Sequence, residues 1–375
     1  MEKKINYQFK ILYFFGIFFI VACHCGYGGI SLGYEWFYPG AFHLALFAFG
    51  SGYFYKTSYE EHIGSFIIKK VKHLLVPLYL WNFVYAIILM ILRNNKFTFG
   101  GKISLYNLLI SPMINGHVFA LNFPTWFVFP LFVVQVATVL MRKPLYKHEK
   151  VNDWVVLVIS LIIGITAAYA GKCGWNRNWK LLFVRAGYLF PFYQLAIVYK
   201  NKWEKHDTLN NIAYFGILFL AQLLIIYKYG GTIYYTLSWA IGFENGIIAT
   251  PTIVAILGIA FWLRVSRILA PILQKNKLVM MIADNTDAVM THHIFAFFII
   301  NTIYAAINKL TGTAFCSSFD WEQYRSNVQY AFCPENLGQF RIVYMVAGLI
   351  LPLIIVILQK KVKEKINGRF KKITT

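Results

Sequence analysis

Apolar residues in this chain come in long blocks, with polar residues mostly confined to the shorter stretches between them. The first block, Ile11–Gly28, contains no Asp, Glu, Lys or Arg. About 20 apolar residues are enough for a helix to cross the hydrocarbon core of a bilayer. Similar blocks recur at Phe37–Tyr55, Leu74–Leu92, Pro124–Met141, Trp154–Gly171, Leu181–Tyr199, Ile212–Tyr229, Gly246–Leu263, Val279–Ile307 and Ile342–Leu358. The pattern therefore predicts ten spans. Backbone polar groups find no water in lipid, so each span must be a helix rather than a strand. The ninth block carries Asp284 and Asp287 near its start, and Thr232–Phe243 is too short to cross, so it reads as an interfacial or re-entrant segment. The expected fold class is an all-α integral membrane protein, about ten transmembrane helices in one bundle, with residues 1–375 forming a single domain.

Composition agrees: 58% of residues are hydrophobic and 14% charged, where a soluble chain carries about 25% charged residues. The placement of the charges then predicts an orientation. If the N-terminus is cytoplasmic, 25 of the 36 Lys and Arg fall in inside segments, from Lys3, Lys4 and Lys10 to the basic tail at 359–375. Every inside segment is basic, which places both termini in the cytoplasm. The net charge of +21 is on this reading a topology signal. The implied partner is the lipid bilayer, with anionic headgroups against the basic segments, and not nucleic acid. Two long segments remain outside, 93–123 and 308–341. The second carries Trp321, Tyr324, Tyr330 and Phe332, too many aromatics for a disordered loop, so both are expected to fold over the outer face.

The first block ends in Cys23-His24-Cys25. Neighbouring helical residues point about 100° apart, and structural zinc ligands come as spaced pairs, so no metal site is expected. The basic start and Ile20-Val21-Ala22-Cys23 imitate a lipoprotein signal, but a lipid anchor adds little to a chain with nine other spans. Cys316 and Cys333 share one outside segment, where an oxidising exterior would allow a disulfide.

Ionisable groups inside spans are costly and mark functional candidates. His24, His43, His292, His293 and Arg185 fall there. A lone histidine is readily explained as a structural bond between helices; several near one depth point to a shared polar site. Gly50, Ser51 and Gly52 let helices approach closely, which packing alone would explain. The inside run Phe66–Pro77 sets Lys69, Lys70, Lys72 and His73 before a span. It reads as positive-inside anchoring or as a phosphate clamp for an anionic cofactor.

In order, these stretches resemble the acyltransferase family 3 of multi-pass membrane O-acyltransferases, in particular the branch that modifies surface polysaccharides. The resemblance is carried by the histidine ending span one, by "FHLALFAFGSGYFYK", "FIIKKVKHLLVPLY", "PTWFVFPLFVV" and "LFPFYQLAIVYK", and by "IADNTDAVMTHHIFAFF", which looks like the family's late Gly-x-x-Thr-x-x-x-x-x-x-His element. It implies transfer of an acyl group, most simply acetyl, from cytoplasmic acyl-CoA to a hydroxyl of a cell-surface or exported glycan, by a multi-pass protein of the plasma membrane. His24 matches the family's essential histidine and is expected to act as base or transient acyl carrier. An imidazole suits the task because it ordinarily titrates near neutrality. His43 and His292 are further catalytic candidates, with Ser51 and Trp126 for orientation or oxyanion contact. Lys10, Lys69, Lys70 and Lys72 are expected to hold the coenzyme-A phosphates. The family's arginine partner, eleven positions upstream of the histidine, is replaced by Tyr13. That leaves three readings: Lys10 takes the role, the donor binds differently, or the chain is an inactive assembly subunit. A glycan flippase or transporter is the rival from another class. It would want a continuous charged path or paired broken helices, which the sequence does not offer.

Overall fold

The computed structural model describes residues 5–26, 29–30, 39–146, 152–230, 235–240, 247–312 and 316–373. Among these, no β-strand forms. The first helices are α1 (Tyr7–His24), α2 (His43–Tyr53), α3 (Ser58–Glu61) and α4 (Ile63–Lys70), which runs through a π-turn at Val71–Leu75 into α5 (Val76–Asn94). The short α6 (Leu105–Leu109) and α7 (Ser111–Ile114) precede a 3₁₀ turn, Phe123–Phe127, that leads into α8 (Val128–Tyr146). Then come α9 (Asp153–Lys172), α10 (Asn178–Val198), α11 (Asn211–Tyr229), α12 (Thr250–Leu273), α13 (Lys277–Asp284), α14 (Thr286–Thr311), α15 (Trp321–Ser326) and α16 (Arg341–Ile373). Asparagines set several starting points: the side chains of Asn6, Asn152, Asn210 and Asn276 each accept a first-turn backbone N–H, removing an otherwise orphaned donor.

Among the described residues, nine helical stretches are long and apolar enough to cross a membrane. The chain is an all-α, multi-pass membrane protein. It differs from the sequence expectation at two blocks. Phe37–Tyr55 was expected to span. Its described part is a 3₁₀ turn at Pro39–Ala41 followed by the eleven residues of α2, about 16 Å of helix and half a hydrocarbon core. A helix this short is tolerated because it packs against α1, α10 and α12 and is enclosed by protein rather than lipid. The block Val279–Ile307 is two helices: Asn285, at φ −130° and ψ 36°, separates α13 from α14. Of the short apolar block, Tyr235–Ala240 is described and contains a turn; Thr232–Tyr234 and Ile241–Phe243 lie outside the described residues, as do Lys3, Lys4, Lys147 and Lys150.

The core centres on α10. Most of its residues are buried, whereas α11 buries only Leu218 and Gln222 and turns its remaining apolar surface outward, as a lipid-facing helix does. Helices without a hydrophobic drive between them gain mainly from close packing, and here glycine permits it. A Cβ on Gly52 of α2 would collide with the Tyr193 carbonyl oxygen of α10, and one on Gly164 of α9 would meet Pro191 at 2.7 Å. One buried ion cluster ties the same end together: Arg142 of α8 bonds Glu60 of α3 at 3.0 Å and Asp153 of α9 at 2.8 Å.

The long segments 93–123 and 308–341 meet each other: Thr98 N donates to Arg325 O at 2.9 Å, and Phe97 and Phe319 both pack on Tyr324. Cys316 is buried and Cys333 partly so, and both are free thiols; the disulfide that their shared segment would allow is not formed. Cys316 is instead held to the end of α14 by Asn308 Nδ2, which donates to its carbonyl at 2.6 Å.

The α2–α10 contact makes a contrast measurable. Gly52→Ala should destabilise the protein by about 1–3 kcal/mol or more, because its new methyl meets backbone. Gly64→Ala, with nothing within 4 Å, should be neutral or gain up to about 1 kcal/mol. Thermal unfolding of the two variants in one detergent checks this, and equal melting points would contradict it.

Candidate functional site

α1 delivers His24 at its last turn, and α14 crosses it with His293. His24 Nδ1 and His293 Nε2 are 3.1 Å apart. On its other side, His293 Nδ1 is 2.9 Å from the Val289 carbonyl oxygen, one turn earlier in α14. A carbonyl only accepts, so His293 Nδ1 carries the proton and, in a neutral ring, Nε2 has the lone pair. His24 must then donate from Nδ1, which leaves its Nε2 unprotonated. The Ile20 carbonyl, one turn earlier in α1, also accepts from the His24 ring, so backbone carbonyls on both helices bear on the two tautomers. A neutral imidazole with a free Nε2 can take a proton from a bound hydroxyl.

His24 opens into a cavity of about 1080 Å³ whose wall also includes His43, His117 and Trp126. His43 and His117 are near enough to act electrostatically on His24. Phe123 meets the His24 ring edge-on at 5.1 Å. Arg185, almost fully buried near the start of α10, holds one side of this wall. Its Nη1 donates to the Ile114 and Asn115 carbonyls at 3.1 and 3.2 Å, its Nη2 donates to the Ser238 carbonyl, and the guanidinium lies 4.3 Å from the Trp126 ring. It therefore pins two loops and one ring around the cavity, and the loop just after Asn115 carries His117. The His117 ring stacks on Trp239 at 4.5 Å.

The expected residues divide. His24, His43 and Trp126 meet at this cavity. His292 does not: neighbours on a helix diverge by about 100°, and its ring turns to α5, with Nδ1 2.8 Å from Tyr85 Oη and Trp81 packed against it at 4.2 Å. His293 faces His24 instead. The spacing held the signal, because six residues after Thr286 the next position is His293. Ser51 is hydrogen-bonded to Tyr13, whose ring also lies against Gly50, so Tyr13 fills the arginine position by packing. Lys10 is at the opposite end of α1, ion-paired with Asp284 at 2.7 Å. Lys69 and Lys72 are exposed on α4 and the π-turn, and Lys70 lies over the Phe66 ring at 5.4 Å. None of these four lysines lines the His24 cavity. His117 and Arg142 were not singled out from sequence, since their partners are distant along the chain.

A family model described as an acyltransferase domain matches residues 6–359. The chain belongs to acyltransferase family 3. No curated protein and no solved structure matches it. The match covers all the elements that build the cavity, from α1 to the apolar part of α16, so the paired histidines lie within the acyltransferase domain of a multi-pass membrane protein.

Burial, with the Arg185 charge adding to it, pushes the His117 imidazole of this acyltransferase domain down from 6.5 to about 3. A histidine that is harder to protonate when folded contributes stability that is complete above its ordinary pKa and is lost as pH falls towards the folded value. Between pH 6.5 and about 3, His117 should cost up to about 1.4 kcal/mol per pH unit. His117→Phe should flatten the fall in melting temperature over the upper part of that window; an unchanged slope would contradict the assignment.

Proposed function

We propose that this protein is an O-acyltransferase of the plasma membrane that moves an acyl group, most simply acetyl, from cytoplasmic acyl-CoA to a hydroxyl of a cell-surface or exported polysaccharide. The observation that carries the reading is the His24–His293 pair at the edge of a large cavity within an acyltransferase domain. A sugar hydroxyl is a weak nucleophile near neutral pH and needs a base. His24 Nε2 takes the hydroxyl proton while the oxygen bonds to the thioester carbonyl carbon. The carbon–sulfur bond then breaks, and the proton passes to the departing thiolate. His293 holds the His24 ring in the tautomer that can do this and accepts from its Nδ1–H when the ring becomes positive. His43 and Trp126, on the same wall, are assigned to orient the carbonyl and meet the developing oxyanion.

The polysaccharide acceptor is supported by the rest of the lining. Asn107, Asn115, Asn176, Asn327 and Gln329 offer amides, each able to donate to and accept from hydroxyls, and Trp126 and Trp239 offer ring faces. Both termini are assigned to the cytoplasm on the distribution of Lys and Arg, which brings the donor in from the face opposite this cavity.

The test is transfer of labelled acetyl from acetyl-CoA to glycan in membranes. His24→Ala should lower it at least about 100-fold at unchanged protein level, while Cys23→Ser keeps it. Full transfer by His24→Ala would overturn the base assignment. Wild-type membranes that never label the glycan, although acceptor is present, would favour the inactive assembly subunit.

A further inference from the structure

A second, smaller cavity lies where α2, α8 and α10 end, at the opposite end of these helices from His24. α2 connects the two: His43 at its first residue lines one, and Gly52 near its last lines the other, about 14 Å of helix apart. The small cavity is about 280 Å³, and its polar lining is Lys56, Thr57, Ser58, Arg142, Lys200 and Asn201. All its charged lining residues are cationic.

Arg142 is the telling member. It is 3% exposed. Its Nε and Nη2 are taken by Glu60 and Asp153, but its buried Nη1 has no partner among the described residues, and neither has Oε2 of Glu60. A guanidinium N–H out of water without an acceptor is costly. The two carboxylates stand behind Arg142 and do not line the cavity. Lys200 Nζ donates to the Tyr55 carbonyl at 3.3 Å and keeps further donors. Glu204 and Lys56 are the charges acting on it. Hydroxyls at Thr57 and Ser58 complete a set of donors suited to phosphate oxygens, while the Asn201 amide donates to Asp153 Oδ2 at 2.9 Å.

We propose that this cavity binds phosphate groups, and that their source is the nucleotide end of the acyl-CoA donor. The pantetheine arm then runs along α2 towards His24. This deepens the proposed function and rests on its donor assignment. It also moves the phosphate role away from Lys69, Lys70 and Lys72; the exposed Lys69 and Lys72 suit lipid headgroups. The same chemistry would serve a phospholipid headgroup, and the experiment separates the two.

Full-length protein in zwitterionic nanodiscs is titrated calorimetrically with coenzyme A and, separately, with inorganic pyrophosphate. Lys200→Met should weaken both by at least about tenfold, and Lys200→Arg should restore most of the loss. Lys56→Met gives the same readout in smaller degree should Lys200→Met fail to fold. Coenzyme A affinity unchanged in variants that fold would overturn the proposal. If acetyl transfer from acetyl-CoA also persists in them, the enzymatic reading survives and only this site fails. Pyrophosphate binding that depends on Lys200, without coenzyme A binding, would keep an anion site but remove the donor from both proposals. Loss of bound phosphatidylglycerol from Lys200→Met by native mass spectrometry, at unchanged coenzyme A affinity, would assign the cavity to a headgroup and overturn the donor source.

Discussion

A backbone amide in the core of a bilayer has no water to bond, and that constraint governs this molecule. It forces the spans to be helical and leaves helix faces and ends to carry the chemistry. It also explains why the eleven residues of α2 are tolerated: they lie against α1, α10 and α12 rather than lipid. The close approach of Gly52 to the Tyr193 carbonyl holds this short helix in place, and α2 links the two polar cavities.

Within that frame the site is a short relay of hydrogen bonds that begins at a backbone carbonyl. Val289 O fixes the proton on His293, His293 and the Ile20 carbonyl hold the proton on His24, and His24 is left with a free lone pair at Nε2. Among the described residues, no carboxylate bonds either ring. A neutral partner holds the ring's tautomer, as the aspartate of a serine-protease triad does, but it offers less charge stabilisation to the imidazolium that forms. The wall around the pair depends on Arg185, which gathers two loops and the Trp126 ring.

The membrane class was legible because unbroken apolar blocks have one physical explanation. The shortness of α2 was hidden because Pro39 and Gly40 interrupt a run that is still apolar on average. His24 was legible from its place at the end of a span. The choice between His292 and His293 was not decided by the presence of two in-span histidines; it turned on helical phase, and the count from Thr286 was the available clue. Lys10 seemed free to serve a cofactor because its partner, Asp284, is 274 residues away. Arg142 was hidden for the same reason, since Glu60 lies 82 residues before it. Sequence reveals local pattern, and these roles depend on pairings between distant segments.

The central claim is that His24 and His293 act as one unit. Groups that act through one another are strongly non-additive in rate. The most direct measurement is the rate of acetyl transfer by His24→Ala, His293→Gln and the double variant, compared with wild type in the same membranes. The account predicts that His293→Gln is slow and that the double variant is no slower than His24→Ala alone. Losses that multiply, or a His293→Gln variant that retains the wild-type rate, would contradict it.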